Sequence, residues 1–203
     1  MNLETAATLV LVSRFLEYPE DSFFEEWSDL EKELTEILPS EELRTALLNC
    51  VKPLFSVPLK DLQELYVETF DYKEKTGLYL TAQELGDSRK RGGALIELQR
   101  LISDLGFERQ GDELADYIPM LLELLAAAPE GDSVSLLKRR LAYSLHRILN
   151  HLPKENHYHA FFDLLMTHVF EAPKPEEIKL LENSWEAADL DPLPYPMTYI
   201  NEQ

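Results

Sequence analysis

Apolar residues recur every three or four positions along most of this chain, and this spacing constrains the fold more than any other feature. Leu9, Val12 and Leu16 show the spacing near the start, and residues 94–105 show it in the middle of the chain. Such spacing places apolar side chains on one face of an α-helix. No segment shows the period-two alternation with turn residues that is typical of paired strands. The sequence therefore predicts an all-α, single-domain helical bundle of about seven to nine helices.

The composition changes near residue 171 and predicts a boundary there. The 203 residues are 45% hydrophobic, which is enough for one domain with a sizeable core. Residues 171–203 hold five of the twelve prolines, eight acidic residues and only two lysines. We expect residues 1–170 to form an all-helical domain and residues 171–203 to form a mobile, acidic and proline-rich tail.

The net charge restricts the classes of partner. Thirty-eight acidic and nineteen basic residues give a formal charge of −19, which repels nucleic acid and anionic membrane surfaces. We expect no nucleic-acid partner and no direct membrane insertion. Two readings of the charge stay open, because it serves solubility as well as it serves attraction of a basic peptide.

Cysteine usage and the N-terminus indicate the compartment. Cys50 is the only cysteine, so the chain has no internal disulfide and no cysteine-based metal site. The N-terminus lacks a positively charged region before its short apolar run at 6–12. We expect a cytoplasmic protein.

The stretch from Tyr66 to Gly93 departs from ordinary helix rules. Asp87 or Ser88 can cap the helix that follows, which places Arg89, Lys90 and Arg91 in its electropositive first turn. Six of the seven glycines lie between residues 77 and 111, where they permit close backbone approach. Residues 87–91 are therefore predicted to contact an anion such as a phosphate or pyrophosphate. The competing reading is that neighbouring carboxylates neutralise these cations.

Catalysis has little support in the sequence. There is no phosphate-binding P-loop, no dinucleotide glycine fingerprint, no His-Glu-x-x-His and no Gly-x-Ser-x-Gly. Asp71, Glu74, Glu84 and Asp87 carry groups that acid–base catalysis or a hard metal ion could use. Lysines and arginines interleave with them, which favours local ion pairs. We expect no catalytic residue, no metal site and no permanently bound cofactor.

Aromatic residues in the same stretch suit a binding surface. Tyr66 and Phe70 fall on the apolar stripe of a predicted helix and are expected in the core. Tyr72 and Tyr79 lie in the loop that follows, where they can anchor an amphipathic helix from a partner.

Two long motifs in this stretch carry a resemblance to a known family. YVETFDYKEKTGLYLT at 66–81 and ELGDSRKRGGAL at 84–95 resemble the signature region of NarJ-type nitrate reductase assembly chaperones, within the NarJ/TorD/DmsD family. A third motif, ELADYIP at 113–119 running on to Leu122 and Glu123, is similar to the acidic and aromatic helix start of that family. It departs at Tyr117, where many relatives have histidine, and at Ala115, where many have proline.

The resemblance implies a system-specific chaperone. Its client would be the N-terminal segment of the apo catalytic subunit of a respiratory nitrate reductase, and its task would be to assist molybdenum cofactor insertion before membrane assembly. Transient contact with molybdenum bis(pyranopterin guanine dinucleotide), and contact with molybdenum cofactor biosynthesis proteins, would follow. Together with the loop aromatics, the motifs give a predicted client-peptide set of Asp71, Tyr72, Tyr79, Glu84, Asp116, Tyr117 and Glu123.

Two other classes of function stay open at this point. An acidic helical regulator or scaffold could bind a basic partner without any cofactor role, and a small helical enzyme could use the carboxylates near residues 71–87. The oligomeric state, monomer or dimer, is also open.

Overall fold

The helical architecture follows the apolar spacing of the sequence. A computed structural model describes residues 2–24, 34, 36–109, 111, 113–176 and 178, and within them it holds no strand beyond an isolated bridge between Tyr79 and Tyr117. The α-helices of this part are α1 (Leu3–Phe15), α2 (Glu41–Val51), α3 (Leu59–Tyr66), α4 (Leu80–Leu85), α5 (Arg91–Asp104), α6 (Ile118–Ala127), α7 (Asp132–His151) and α8 (His159–His168). The predicted all-α bundle is confirmed. The predicted tail falls mainly on residues 177 and 179–203, outside the described part, and the domain boundary stays a prediction.

Helix α1 is the buried central element, and its ends are fixed locally. The side chain of Asn2 accepts a hydrogen bond from the Thr5 amide at 2.7 Å, which caps the first turn. Leu9, Val12 and Leu16 are fully buried, so one face of the helix lies entirely in the core. α6 packs along α1, and α8 contacts it as well. The end of α1 is therefore held beside the start of α6.

Aromatic side chains fill the core between α1, α3 and α8. Tyr158, Phe161 and Phe162 are fully buried, and the ring of Phe161 stacks on Phe15 with centroids 5.5 Å apart. The rings of Phe70 and Tyr158 lie 4.9 Å apart. Tyr66 and Phe70 are each only 5% exposed, which confirms their prediction as core residues. Truncating one such ring to alanine is expected to cost about 3–5 kcal/mol.

A buried thiol and two buried phenol groups make the stability of the fold sensitive to alkaline pH. Burial, with Asp163 nearby, raises the pKa of the Cys50 thiol to about 12, and burial raises the pKa of Tyr66 and Tyr158 well above their usual range. These groups keep their protons in the folded chain but lose them in the unfolded chain near their ordinary pKa values. Stability should therefore be complete below about pH 8 and fall as the pH rises through about 9 to 11, by up to about 1.4 kcal/mol per pH unit for each group.

Urea unfolding between pH 8 and pH 11 measures this dependence. The Cys50→Ala variant serves as the control. In the unfolded chain the Cys50 thiol ionises at lower pH than the tyrosines, so between about pH 9 and pH 10 the free energy of unfolding of the variant should fall less steeply than that of the unchanged chain. A free energy of unfolding that stays constant to pH 11 would contradict the prediction.

The loop after α3 is shaped by an irregular turn. α3 continues into a π-helical turn at Val67–Asp71, a geometry that is frequent at functional sites. The hydroxyl of Thr76 donates to the Thr69 carbonyl, and the Asn156 amide donates to the Thr69 hydroxyl at 2.8 Å. These bonds tie the loop to the bundle, and they leave the Asp71 and Tyr72 side chains exposed at the surface.

Candidate functional site

The loop that contains Tyr79 and the segment that leads into α6 are joined directly. The Leu80 amide donates to the Asp116 carbonyl at 2.8 Å, and the Ile118 amide donates to the Leu78 carbonyl at 2.8 Å. This pair of bonds surrounds the bridge between Tyr79 and Tyr117. Two of the three sequence motifs, separated by more than thirty positions, therefore meet at one place.

Two adjoining cavities open beside this junction, and together we call them the groove. They share Glu17, Glu113 and Tyr117, so Tyr117 stands between them. The tyrosine cavity has a volume of about 440 Å³, and its other lining residues are Tyr18, Glu20, Tyr66, Phe70, Asp71, Leu78 and Tyr79. The apolar cavity has a volume of about 460 Å³, and its other lining residues are Ile102, Phe107, Glu108, Arg109, Met120, Glu123, Leu124 and Ala127.

Tyrosine hydroxyls connect the walls of the tyrosine cavity. The Tyr66 hydroxyl donates to the carbonyl of Leu16 at the end of α1 at 3.1 Å and lies 3.2 Å from the Tyr117 hydroxyl. The Tyr79 hydroxyl donates to Glu113 at 3.0 Å, and the Tyr79 and Tyr117 ring centroids are 5.7 Å apart. Burial, helped by Glu113, raises the pKa of Tyr79 to about 12, and burial raises that of Tyr117 further. These phenols therefore stay neutral into the alkaline range, where an ordinary tyrosine ionises.

Carboxylates give the groove its charge. Glu17, Glu20, Asp71 and Glu113 lie around the tyrosine cavity, and Glu108 and Glu123 lie at the apolar cavity. All six are exposed. Arg109 is the one basic side chain among the described lining residues, and it donates to the backbone carbonyl of Glu113. The groove thus combines an apolar and aromatic floor with a strongly negative rim.

Arg91, which was predicted to contact an anion, does not line the groove but contacts residues that position one of its walls. Its Nε donates to the Thr81 hydroxyl at 3.1 Å, its Nη2 lies 3.6 Å from Asp116 Oδ2, and its guanidinium lies 5.9 Å from the Tyr79 ring centroid. Asp116 is fully buried and accepts hydrogen bonds from both the amide and the hydroxyl of Thr81. For Arg91, the structure therefore matches the alternative reading, in which a carboxylate of the domain neutralises the cation.

The start of α5 corrects the predicted helix cap. The helix begins at Arg91 with Lys90 at the N-cap position, whereas Asp87 or Ser88 was predicted there. The Ser88 hydroxyl accepts from the Lys90 amide at 3.3 Å, and the Ser88 carbonyl accepts from the Arg91 amide at 3.0 Å. These bonds form a turn before the helix, so Arg89 and Lys90 precede the first helical residue.

Glu84 forms a second buried ion pair. Its two carboxylate oxygens accept from Nε and Nη2 of Arg140 at 2.7 and 2.6 Å, which joins α4 to α7. Burial lowers the pKa of the Arg140 guanidinium, but its hydrogen bonds to Glu84 and the charges of Glu84, Glu97 and Asp116 together outweigh burial and raise the pKa. In this structure Glu84 and Asp116 both face the interior, and their predicted contact with a client stays a prediction.

The other predicted residues divide between the groove and the surface beside it. Asp71, Tyr79, Tyr117 and Glu123 line the groove, where the Glu123 carboxylate also accepts from the Ser13 hydroxyl at 3.0 Å. Tyr72 is 80% exposed and lines a shallow depression next to Tyr18. The remaining predicted anion contacts lie outside the groove, with Ser88 buried and Asp87, Arg89 and Lys90 exposed.

Sequence reasoning missed the part of the groove that α1 contributes. Glu17, Tyr18 and Glu20 follow the end of α1 and line the tyrosine cavity. The available signal was an acidic and aromatic cluster around Pro19, directly after an apolar helix. Phe107 and Met120 were also missed as groove residues.

The described part of the chain contains neither a cluster suited to a metal ion nor a helix suited to a bilayer. Among the described residues, no group of three or more histidine, cysteine, aspartate or glutamate side chains is placed to hold a metal ion. None of the helices in the described ranges is both long and apolar enough to cross a bilayer.

Comparison with known proteins identifies similar chains. The sequence model of the family described as nitrate reductase delta subunit matches residues 32–161. The nitrate reductase molybdenum cofactor assembly chaperone NarJ of Escherichia coli K12 is 33% identical over 161 residues, which cover 78% of this chain and 67% of that protein. The probable nitrate reductase molybdenum cofactor assembly chaperone NarJ of Bacillus subtilis 168 is 31% identical over 153 residues, which cover 75% of this chain and 82% of that protein. The probable chaperone NarW of Escherichia coli K12 is 30% identical over 122 residues, or 60% of this chain and 50% of that protein.

Proposed function

We propose, because this chain belongs to the nitrate reductase delta subunit family, that it is a cytoplasmic assembly chaperone and not an enzyme. Its client is the N-terminal segment of the apo catalytic subunit of a respiratory nitrate reductase, which it holds while the molybdenum cofactor is inserted and before membrane assembly. The family match confirms the resemblance inferred from the motifs at 66–81 and 84–95. The single observation that supports peptide binding is the groove, with its apolar floor and acidic rim.

The groove suits an amphipathic helix. Its floor offers Phe107, Met120 and Leu124 on one side of Tyr117, and Tyr66 and Phe70 on the other. Partner helices commonly place one apolar face into such a groove, where large, rigid aromatic side chains supply most of the binding energy. Contact with the floor should therefore provide most of the affinity for the client.

The rim should select clients with positive charge. Six exposed carboxylates face one arginine among the described lining residues, and the chain as a whole carries a formal charge of −19. Complementary charge accelerates association and suppresses partners of the wrong charge. Because exposed charges are screened by ions, affinity for a basic client segment should fall as salt rises.

Neutralising two rim carboxylates tests this function. We expect the double variant Asp71→Asn, Glu113→Gln to bind a synthetic peptide of the reductase N-terminal segment about two- to thirtyfold more weakly at low salt, because each exposed carboxylate contributes about 0.2–1 kcal/mol. Its affinity should also depend less on salt. Isothermal titration calorimetry at two salt concentrations measures both effects.

The matched control removes the same charge elsewhere. Asp104→Asn with Glu155→Gln neutralises two exposed carboxylates that lie outside the groove, and its affinity should stay within about twofold of the unchanged chain. The proposed role of the acidic rim would be contradicted if client affinity did not depend on salt concentration, or if both double variants lost the same affinity for the peptide.

Contact with the molybdenum cofactor is the second part of the proposal. Arg89 and Lys90 are exposed, and a Cβ built on either Gly92 or Gly93 would meet nothing within 4 Å. The first turn of α5 contains no acidic residue. These features fit a transient surface contact for the phosphate groups of molybdenum bis(pyranopterin guanine dinucleotide), and contact with the biosynthesis proteins that deliver it. The cofactor would supply redox chemistry to the client, and this chain would bind the apo client until the cofactor is inserted.

Affinity purification separates this function from that of an acidic regulator. The tagged chain, isolated from cells grown anaerobically on nitrate, should bring down the apo catalytic subunit of nitrate reductase. Recovery of an unrelated basic protein without that subunit would instead support a regulator or scaffold.

A further inference from the structure

We propose that the tyrosine cavity is a subsite for one cationic side chain of the bound segment, while the apolar cavity takes the apolar side chains beside it. This inference rests on the proposed function, since it describes how the client lies in the groove. Tyr117, which lines both cavities, then sets the register between the cationic and the apolar part of the client.

The charge around the tyrosine cavity is negative on several sides. Carboxylates reach it from two directions, with Glu17 and Glu20 after α1 and with Asp71 and Glu113 from the two joined segments. No basic side chain is among the described residues that line this cavity. The C-terminal end of α1, whose Leu16 carbonyl accepts from the Tyr66 hydroxyl, adds the negative end of a helix dipole. A cation that enters here therefore meets attraction from several directions.

The walls of the same cavity suit an organic cation better than a hydrated ion. Tyr18 and Tyr66 pack edge to face with centroids 5.5 Å apart, and Tyr79 and Tyr117 lie 5.7 Å apart at an angle of 46°. Tyr66, Tyr79 and Tyr117 are neutral phenols that line the cavity, so their rings offer electron-rich faces to a cation. A lysine or arginine side chain can place its aliphatic stem on these rings and its charge at the carboxylates.

The apolar cavity has a different character. Ile102, Phe107, Met120 and Leu124 supply its floor, and Arg109 places one positive charge at its edge. Glu108 and Glu123 line it besides the shared Glu17 and Glu113, so the difference in charge between the two cavities is the guanidinium of Arg109. Apolar side chains of the client therefore gain most in this half of the groove, and a cation gains less there because Arg109 repels it.

A double-mutant cycle between peptide and groove tests the subsite. The probe is a synthetic peptide of the reductase N-terminal segment in which each arginine is replaced in turn by citrulline and each lysine by acetyl-lysine. Citrulline keeps the shape of arginine, acetyl-lysine keeps the aliphatic stem of lysine and adds an acetyl group, and both remove the charge. We expect one position at which neutralisation weakens binding about tenfold to the unchanged chain, but less than about twofold to Asp71→Asn, Glu113→Gln.

The control variant lies in the same groove. Glu123→Gln removes a carboxylate of the apolar cavity, and with this variant neutralisation of the same peptide position should still cost about tenfold. Peptide binding in which no cationic position couples to Asp71 and Glu113, or in which Glu123 couples equally, would overturn the subsite and leave the chaperone function standing. Failure of every peptide to bind the unchanged chain would instead contradict the proposed function itself.

Discussion

Replacing Asp116 with alanine is expected to lower the free energy of unfolding by about 3 kcal/mol and to weaken client-peptide binding at least about tenfold. Asp116 is fully buried and accepts from the Thr81 amide and hydroxyl. Its removal leaves the Thr81 amide and hydroxyl without their acceptor and the partly buried guanidinium of Arg91 without its carboxylate. A buried donor or charge that loses its partner bears the full cost of desolvation, which explains the size of the effect.

The effect on binding follows from the position of Arg91. Its guanidinium lies over the Tyr79 ring, and the backbone of Asp116 pairs with Leu80, next to Tyr79. Asp116 and Arg91 therefore hold one wall of the tyrosine cavity without lining it. When this support is lost, Tyr79 should become less ordered, and the client would have to order it again on binding.

Urea unfolding and calorimetric titration measure the two effects together. Asp163→Ala, which removes an exposed aspartate from α8, should change stability by no more than about 0.5 kcal/mol. Arg91→Lys provides a milder variant that retains the cation but not the planar donor to Thr81, and we expect it to cost about 1 kcal/mol. If the Asp116→Ala protein kept its stability and its peptide affinity, the contacts among Asp116, Thr81 and Arg91 would not stabilise the fold or position Tyr79.

Local rules predicted the helices well because each depends on nearby residues. The apolar spacing of 94–105 predicted α5, and Gly106 directly after it has the left-handed conformation that commonly ends a helix, with φ of 83°. The Ser40 side chain caps α2 by accepting from the Leu43 amide, as its position before an acidic first turn indicates. Pro119 lies in the first turn of α6, where its missing amide hydrogen costs nothing.

The candidate site was only partly predictable because long-range packing assembles it. The rule that a cation at a helix start needs an anion was correct for Arg91, but no local rule identifies Asp116, twenty-five positions later, as that anion. Glu17 and Tyr18 enter the groove because α1 packs along α6, which brings the end of α1 beside Tyr117. Motif resemblance found the loop and the start of α6, since those residues are contiguous in sequence.

The two exposed cations directly before α5, Arg89 and Lys90, define the last prediction. Arg89→Glu with Lys90→Glu is expected to reduce molybdenum loading of the client at least about tenfold, equivalent to about 1.4 kcal/mol, because the two negative charges repel a polyanionic cofactor and any anionic surface that presents it. Both residues are exposed and lie outside the groove, so peptide affinity should stay unchanged and the free energy of unfolding should change by no more than about 0.5 kcal/mol. Arg91 is left intact because its reversal would place a carboxylate beside buried Asp116.

The molybdenum content and nitrate reductase activity of the client, purified from cells that produce each variant, measure the loading. Lys52→Glu with Lys154→Glu makes the same change in net charge at exposed positions away from α5, and it should load the client normally. Full loading of the client by the Arg89 and Lys90 variant would contradict the proposed anion contact. The groove would then be the one remaining proposed binding site among the described residues. Equal loss in both variants would mean that overall charge, and not the start of α5, governs delivery.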